Sequence, residues 1–173
     1  MVTVIRMITR WLTVLTTACA SAASGQTSPF VISQIYGGGG NSGAPLQADF
    51  IELFNRGSQA VDLTGWTVQY ASASGVTWER TALSGSVQPG QYYLVQENQG
   101  SVGTSLSTPD AMGGINLSAS AGKVAVVATN GLLSESAPTG PQIIDFVGYG
   151  NANAAEGSPA PWVTENFLPR NGR

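Results

Sequence analysis

The feature that most constrains the fold is a series of short segments in which apolar and polar residues alternate. The alternation is clear in Asp49–Asn55 and in Gly65–Tyr70, where Trp66, Val68 and Tyr70 share one side. Successive side chains of a strand point to opposite faces, so this period of two predicts β-strands. No stretch of helical length carries a 3.6-residue period, and the 22 Gly and 9 Pro interrupt the chain too often for long helices.

Turn residues separate the strand-like segments along the whole chain. Pro89-Gly90 and Asn130-Gly131 are the clearest turns, and residues 98–113 are predicted to form a loop. Many short strands with frequent turns predict an all-β sandwich or barrel. The predicted strands are 30–36, 49–55, 61–63, 65–70, 76–80, 91–96, 115–118, 123–129 and 143–147.

The first 23 residues have the character of a secretory signal peptide. Arg6 and Arg10 precede a short apolar stretch at 11–15, and small residues with A-x-A cleavage sites follow. The apolar stretch is short for a membrane span, so a retained anchor is the weaker alternative. A lipoprotein signal on Cys19 is disfavoured because Thr16 stands where Leu is usual. We therefore predict a secreted, periplasmic or cell-surface protein with no membrane span after cleavage.

Several kinds of chemistry are excluded by composition. The chain has no His, and its one Cys, Cys19, lies in the predicted leader. The usual general base, the imidazole metal ligand, the thiolate nucleophile and a disulfide are therefore missing from the predicted mature chain. We expect no enzyme activity, no cofactor and no metal.

The charge balance argues against a nucleic-acid partner. Removing residues 1–23 takes away Arg6 and Arg10 but no acid, which leaves 5 bases, 10 acids and a net charge of −5. Proteins that bind phosphate backbones need clustered Lys and Arg. The remaining bases are scattered in sequence: Arg56, Arg80, Lys123, Arg170 and Arg173.

Three motifs resemble the signature of lamin-tail domains, in their bacterial secreted branch. An I-E-L-F-N strand at 51–55 leads to V-D-L-T-G-W at 61–66, and P-G-Q-Y-Y-L-V follows at 89–95. The Gly run after Gln34-Ile35-Tyr36 and the segment 145–150 add to the likeness. The resemblance implies an immunoglobulin-like β-sandwich over residues 29–150. The segment 151–173 is rich in Ala, Asn, Pro and Gly, which predicts a tail or linker with a short edge strand near Phe167.

The resemblance also implies a role and one departure from the pattern. Lamin-tail domains of secreted bacterial proteins often accompany extracellular hydrolases or nucleases, and binding or surface attachment is their expected role. Some relatives carry a Cys pair near the positions of Ala137 and Ala154. Both are Ala here, which is consistent with loss of a bridge as a pair.

Carboxylates and tryptophans are the first candidates for site residues. Glu52, alone or with Asp49, is a candidate ligand or acid–base group, but no His or Lys beside it completes a catalytic pair, so a strand residue is favoured. Trp66 is either an exposed saccharide platform or, as we favour from its alternation with Val68, a core residue. Trp78 has polar neighbours, and the sequence leaves its position open.

The remaining candidate sites are weaker. Gly37–Gly40 lacks the Gly-Lys-Ser/Thr ending of a phosphate-binding loop, so a mobile loop or a close backbone approach is expected. A Ser–Lys dyad would have to use Lys123, the only Lys, and no local signature supports it. Asn116-Leu117-Ser118 is formally a glycosylation sequon. Asp110, Asn116, Asn151 and Asn153 are oxygen donors without the spacing of a calcium loop.

Taken with the resemblance, these observations predict a non-catalytic secreted binding or assembly module for an unidentified protein or cell-surface partner. One alternative is an accessory domain for a separately encoded extracellular hydrolase or nuclease. An enzyme in its own right is the least favoured alternative, because the catalytic residues are missing. No catalytic, cofactor or metal residue is assigned.

Overall fold

Ten strands and no helix make up the part of the chain that the computed structural model describes, residues 28–160. The predicted signal peptide and the predicted edge strand near Phe167 lie outside these residues. The strands are β1 (Phe30–Tyr36), β2 (Ala48–Asn55), β3 (Val61–Asp62), β4 (Thr67–Ser72), β5 (Glu79–Ala82), β6 (Ser86–Val87), β7 (Tyr92–Gln99), β8 (Ala111–Met112), β9 (Gly122–Val127) and β10 (Ile143–Tyr149).

The strands form two four-stranded sheets and a small two-stranded one. The first sheet has the order β1-β2-β7-β8, the second has the order β10-β9-β4-β5, and β3 pairs with β6. All pairings are antiparallel except that of β7 with β8. The predicted all-β class is confirmed.

The main core lies between the two large sheets. Ile51 and Leu53 of β2 point inward from the first sheet, and Val68 of β4 with Val124 and Val126 of β9 point inward from the second. All five are fully buried. Alternate residues of each strand therefore fill a shared interior, as in a β-sandwich.

Residues 115–118 close one end of this interior, and the prediction of a strand there is wrong. Ile115 and Leu117 are buried in the core, but the segment forms no strand, although the amide of Asn98 in β7 donates to the carbonyl oxygen of Ile115 at 3.0 Å. Side chains from both sheets bind the rest of its backbone: Glu97 and Asp49 accept its amide protons, and Tyr149 donates to the carbonyl oxygen of Ser118. The alternation of apolar residues here reflects burial and not a place in a sheet.

A second core covers the outer face of the second sheet. Residues 128–142, which we call the covering loop, pass over this face, and Leu133 packs with Trp78, Ala125 and Phe146. Both faces of β9 are consequently buried along its whole length.

Polar side chains on the covered face hold the covering loop in place. The Gln69 amide donates to the carbonyl oxygen of Gly131 at 2.7 Å and accepts from the amide of Leu133 at 2.9 Å. The Trp78 indole donates to the carbonyl oxygen of Glu135 at 3.0 Å. These side chains are buried and hydrogen-bonded, as buried polar groups must be.

Several strand boundaries differ from the sequence prediction: β4, for example, lies at Thr67–Ser72 and not at 65–70, and β6 was not predicted. The strand expected at 76–80 begins at Glu79 and ends at Ala82, because Trp78 turns onto the covered face instead of pairing. The strand expected to end at Gln96 continues to Gln99, and a two-residue strand at Ala111–Met112 interrupts the predicted loop 98–113.

Residues 151–160 run along the edge of β10. Ala160 forms a parallel bridge with Tyr149, and its amide donates to the carbonyl oxygen of Gly148 at 2.8 Å. Ala152 and Ala160 are buried. This part of the segment assigned to the tail therefore packs on the sandwich.

Candidate binding surface

The outer face of the first sheet is the candidate binding surface, and we call it the open face. On β2 it carries Phe50, Glu52 and Phe54, which alternate with the buried Ile51 and Leu53. Strand pairing places one residue of β1 and one of β7 beside each of the three. The three cross-strand rows are Val31–Phe54–Tyr92, Gln34–Glu52–Leu94 and Tyr36–Phe50–Gln96.

The open face differs from the covered face of the second sheet in its exposure. None of its nine side chains belongs to either core cluster. Phe50 is the most buried of the nine, at 7% exposure, and Tyr92 is the most exposed, at 59%. No other segment of residues 28–160 packs a hydrophobic core on this face, and its other seven side chains are half-buried.

Two aromatic pairs lie at opposite ends of the open face. The rings of Tyr36 and Phe50 stack with their centroids 5.5 Å apart and their planes 12° from parallel. The rings of Phe54 and Tyr92 lie 4.6 Å apart at 33°. Cross-strand aromatic pairs of this kind stabilise a sheet and also hold each ring in a defined orientation.

The row between the pairs is mostly polar and carries one charge. Glu52 accepts a hydrogen bond from the Ser33 hydroxyl, with 2.5 Å between the oxygens. Glu52 is half-buried on the strand, so the structure supports the strand-residue interpretation of this carboxylate. It lies on the opposite face of β2 from the buried Asp49, which therefore cannot act with it at one site.

A polar groove borders the open face at Tyr92. The groove has a volume of about 340 Å³, and Tyr92 shares its lining with Ser84, Ser86, Gln91 and Asp110. No Lys or Arg of the described residues lines it. Its hydroxyl, amide and carboxylate groups make it a site for hydrogen bonding to a neutral or cationic group.

Buried Tyr93 holds the walls of this groove together. Its hydroxyl donates to the carbonyl oxygen of Ser84 at 3.0 Å and lies 3.5 Å from the carbonyl oxygen of Asp110. The Asp110 carboxylate accepts the amide proton of Leu94 through Oδ2 at 2.8 Å. The groove is therefore preformed by contacts with the core and with β7.

Asp49 and Glu97 are buried carboxylates whose role is structural. Asp49 accepts amide protons from Gly39 at 2.7 Å and from Leu117 at 2.8 Å. Glu97 accepts the amide proton of Ile115 at 3.0 Å. Burial raises the pKa of Asp49 despite these hydrogen bonds, and it raises the pKa of Glu97 to about 7.

The second carboxylate oxygen of Glu97 is buried beside the hydroxyl of Thr81. Neither Glu97 Oε1 nor the hydroxyl of Thr81 has a hydrogen-bond partner of normal geometry among residues 28–160. The Thr81 hydroxyl is nevertheless close enough to Glu97 to lower its pKa, which offsets part of the effect of burial. The charges of Asp49 and Glu79 act in the other direction. A proton shared between Glu97 and Thr81 would satisfy both groups.

Lys123 holds loops together and, within residues 28–160, donates to no serine hydroxyl. Its ammonium group donates to the carbonyl oxygens of Gly75 at 2.7 Å and Ser136 at 3.0 Å, and to Asn153 Oδ1 at 3.0 Å. All three of its protons are thus engaged, and desolvation lowers its pKa. The Ser–Lys dyad has no support in this geometry.

The same contacts bear on the missing Cys pair and on calcium. Lys123 joins Ser136 and Asn153, the residues that immediately precede Ala137 and Ala154. It therefore links the two segments that the resemblance associates with a disulfide.

Asn153 Oδ1 accepts a hydrogen bond from the Lys123 ammonium group, and an oxygen in that position is unsuited to a calcium ligand. Within residues 28–160, no group of His, Cys, Asp and Glu is arranged to hold a metal ion.

The two tryptophans pack in different places. Trp66 is half-buried against the main core, with its ring edge-on to Phe30 at 5.9 Å, and it is not a flat exposed platform. Trp78 is 3% exposed and belongs to the second core. Among residues 28–160, the exposed aromatic residue is Tyr92, which sequence reasoning placed in a strand but did not identify as a site residue.

The backbone of Gly37–Gly40 packs closely against the backbone of neighbouring segments. A side chain at Gly37 would overlap the carbonyl of Ser118, and one at Gly40 would overlap Gly100. The amide of Gly38 donates to the carbonyl oxygen of Leu117 at 3.3 Å. The glycines are thus explained by packing, as one of the two sequence interpretations held.

The motif residues of the resemblance have identifiable structural roles. The Asn55 side chain, fully buried, donates to the carbonyl oxygens of Gln59 and Val87, both at 2.8 Å. Asp62 accepts from the amide and the hydroxyl of Thr64, and these bonds lower its pKa. Gly65 and Gly90 adopt φ of 79° and 76°, a conformation that favours glycine.

Comparisons with known proteins agree with this structure. The model of the family described as Lamin Tail Domain matches residues 23–151, most of the 173-residue chain. A comparison with curated proteins found no match. No helix of residues 28–160 is long and apolar enough to cross a membrane. With its all-β sandwich and its motif residues in these positions, the chain belongs to the Lamin Tail Domain family and has its immunoglobulin-like fold.

Proposed function

We propose that this chain is a non-catalytic, secreted binding and assembly module that holds a protein or cell-surface partner on the open face. One observation carries the proposal: within residues 28–160, the segment 128–142 covers the outer face of the second sheet, whereas the outer face of the first sheet is left partly exposed. An accessible face with a cluster of large apolar side chains is the usual mark of an interaction site.

The chemistry of the open face supports binding. Four of its nine side chains are aromatic, and Glu52 is the one charged residue among them. Protein interfaces are enriched in aromatic residues and depleted of charge at their centre. The contacts within the two aromatic pairs reduce the conformational freedom that the rings lose on binding, which favours affinity.

The positions of the candidate catalytic groups support a non-catalytic role. Asp49 and Glu97 are engaged with backbone amides, and Lys123 is engaged with loop oxygens. Each of them binds groups of the sandwich itself. Secretion is proposed from the leader-like residues 1–23.

The proposal is tested by partner capture from the source organism. The full chain with a C-terminal tag is expressed in its own host, and the secreted and envelope fractions are captured and quantified by mass spectrometry. Leu94→Lys places a charge at the centre of the open face, cross-strand to Glu52, where the new cation has a partner. Leu132→Lys makes the same change on the covering loop, where Leu132 is 56% exposed.

We expect one partner to be enriched with the wild type and with Leu132→Lys but not with Leu94→Lys. Thermal unfolding of both variants by circular dichroism checks that each is folded. The mass of the captured chain tests cleavage near residue 23. Equal recovery with Leu94→Lys, or no enrichment over a tag-only control, would overturn the open face as the binding surface.

A further inference from the structure

We infer that the groove beside Tyr92 binds a neutral saccharide unit, so that the open face attaches to a glycan. This inference rests on the proposed function and names the ligand class. A sugar ring has an apolar C–H face and a rim of hydroxyl groups. The groove is lined by Tyr92, an aromatic residue that is 59% exposed, and by a set of short polar side chains.

The Tyr92 ring is held in place to receive such a face. The Phe54 ring lies against it, with 4.6 Å between centroids and 33° between the ring planes, yet 59% of Tyr92 remains exposed. A ring that is supported by a neighbour and still exposed loses little freedom when a ligand stacks on it. Neither Tyr36 nor Trp66 combines that exposure with a polar groove beside it.

The polar groups of the groove provide both donors and acceptors for hydroxyl groups. Gln91 accepts from the amide of Gln88 through Oε1, which leaves its NH₂ group as a donor. Asp110 uses Oδ2 to bind the amide of Leu94, which leaves Oδ1 as an acceptor among the described residues. Ser84 and Ser86 add hydroxyl groups that can act either way.

Size and charge select the class of ligand. A volume of about 340 Å³ lies near the low end of small-molecule sites, roughly 300–1,000 Å³. A groove of this size accommodates one compact unit of a polymer. A protein–protein interface is larger, because each partner buries on the order of 800 Å² of its surface. The lining has one carboxylate and no cation among the described residues, so phosphate, sulfate and uronate groups are disfavoured.

Affinity electrophoresis of the full chain tests the assignment. The gels contain neutral polysaccharides of β-1,4-glucan, β-1,3-glucan, mannan and galactan type, with soluble chitin oligosaccharides as competitors and dextran sulfate as the anionic comparator. The variants are Tyr92→Ala, Tyr92→Phe and, as a control of similar exposure, Leu132→Ala. Circular dichroism confirms that each variant is folded.

We expect retardation by at least one neutral polysaccharide, and equal retardation at low and high salt because no ion pair is involved. Tyr92→Ala should weaken it about tenfold, as removal of one stacked ring would. Tyr92→Phe and Leu132→Ala should bind as the wild type does. Retardation by dextran sulfate alone, by no polysaccharide, or to the same extent in Tyr92→Ala would overturn the assignment.

The outcome also separates this inference from the proposed function. Capture of a protein partner that Leu94→Lys disrupts, with no saccharide bound, would overturn the glycan assignment and leave the open face as a protein-binding surface. Loss of protein capture in Tyr92→Ala, again with no saccharide bound, would assign the groove to that protein instead. If Leu94→Lys and Tyr92→Ala both leave capture and retardation unchanged, both proposals fail.

Discussion

Glu97 accepts the amide proton of Ile115 at 3.0 Å from a position that is 1% exposed, at the end of the sandwich where residues 115–118 close the core. One carboxylate oxygen is thus hydrogen-bonded, while the other and the hydroxyl of Thr81 have no partner of normal geometry among the described residues. Burial without full compensation disfavours the ionised carboxylate and raises the pKa of Glu97 to about 7. The stability of the domain should therefore depend on this proton.

The first prediction concerns pH. The pKa of Glu97 is about 7 in the folded protein against an ordinary 4.5, so between these pH values the folded state binds more protons than the unfolded state. The free energy of unfolding should consequently fall as pH rises from 4.5 to 7, by up to roughly 3 kcal/mol. Urea unfolding at several pH values measures this slope.

Glu97→Gln should remove that slope. The amide keeps an oxygen for Ile115 and supplies an NH₂ group toward Thr81, so the variant should match the wild type at low pH and exceed it above pH 7. Glu79→Gln is the control, because Glu79 is exposed and acts on Glu97 only through its charge. A slope unchanged in Glu97→Gln would assign the pH dependence to another group.

The same chemical change should have the opposite result at Asp49. Both Asp49 oxygens accept backbone amide protons, from Gly39 at 2.7 Å and from Leu117 at 2.8 Å. In Asp49→Asn, an NH₂ group must face one of these donors, which leaves a buried amide without an acceptor. We expect a loss of about 1–3 kcal/mol in urea unfolding at neutral pH. Equal stability of the variant and the wild type would show that these bonds are not required.

Much of the sandwich could be predicted because the period of two is a local signal. The strands around Ile51, Val68, Val95 and Val124 carry their own alternation or β-branched runs, and all of them form. Residues 115–118 carry a similar pattern and form no strand, because Asp49 and Glu97 bind their amides. Those two residues are distant in sequence, and no local pattern reveals such partners.

The candidate binding surface shows the same limit. Alternation along β7 places Tyr92 and the buried Tyr93 on opposite faces of the sheet. The sequence pattern therefore predicts that Tyr92 faces outward. That its sheet face stays accessible is not a local property. It depends on residues 128–142 covering the other sheet, through contacts such as that of Gln69 with Gly131, which are 62 residues apart.

The covering loop should depend on Lys123. In Lys123→Met, the oxygens of Gly75, Ser136 and Asn153 lose a common donor, and the loop should exchange its amide hydrogens faster. Asn153 is exposed and Ser136 is half-buried, so water can replace part of the loss, and we expect a cost of about 1–2 kcal/mol. Hydrogen exchange read by mass spectrometry locates the effect at 128–142 without change in β1 and β2.

Arg80→Met is the matched control for the loss of a cation that binds this loop. Arg80 also donates to a loop carbonyl, that of Asn130, but its side chain is exposed. Exposed contacts of this kind contribute little, so exchange in the loop should stay near that of the wild type. Equal acceleration in the two variants would show that burial of Lys123 is not what holds the loop.

The glycine run should be intolerant of side chains at its buried positions. A methyl group at Gly39 would overlap the backbone of Ala48 and Asp49, which cannot move without disturbing β2. Gly39→Ala should therefore lower the free energy of unfolding by about 3 kcal/mol or prevent folding, as overpacking of a tight site does. Gly114→Ala is the control, since nothing lies within 4 Å of its added carbon, and its effect should be neutral or slightly stabilising. Circular dichroism and urea unfolding compare the two variants, and similar stabilities would contradict the close packing of Gly39 against β2.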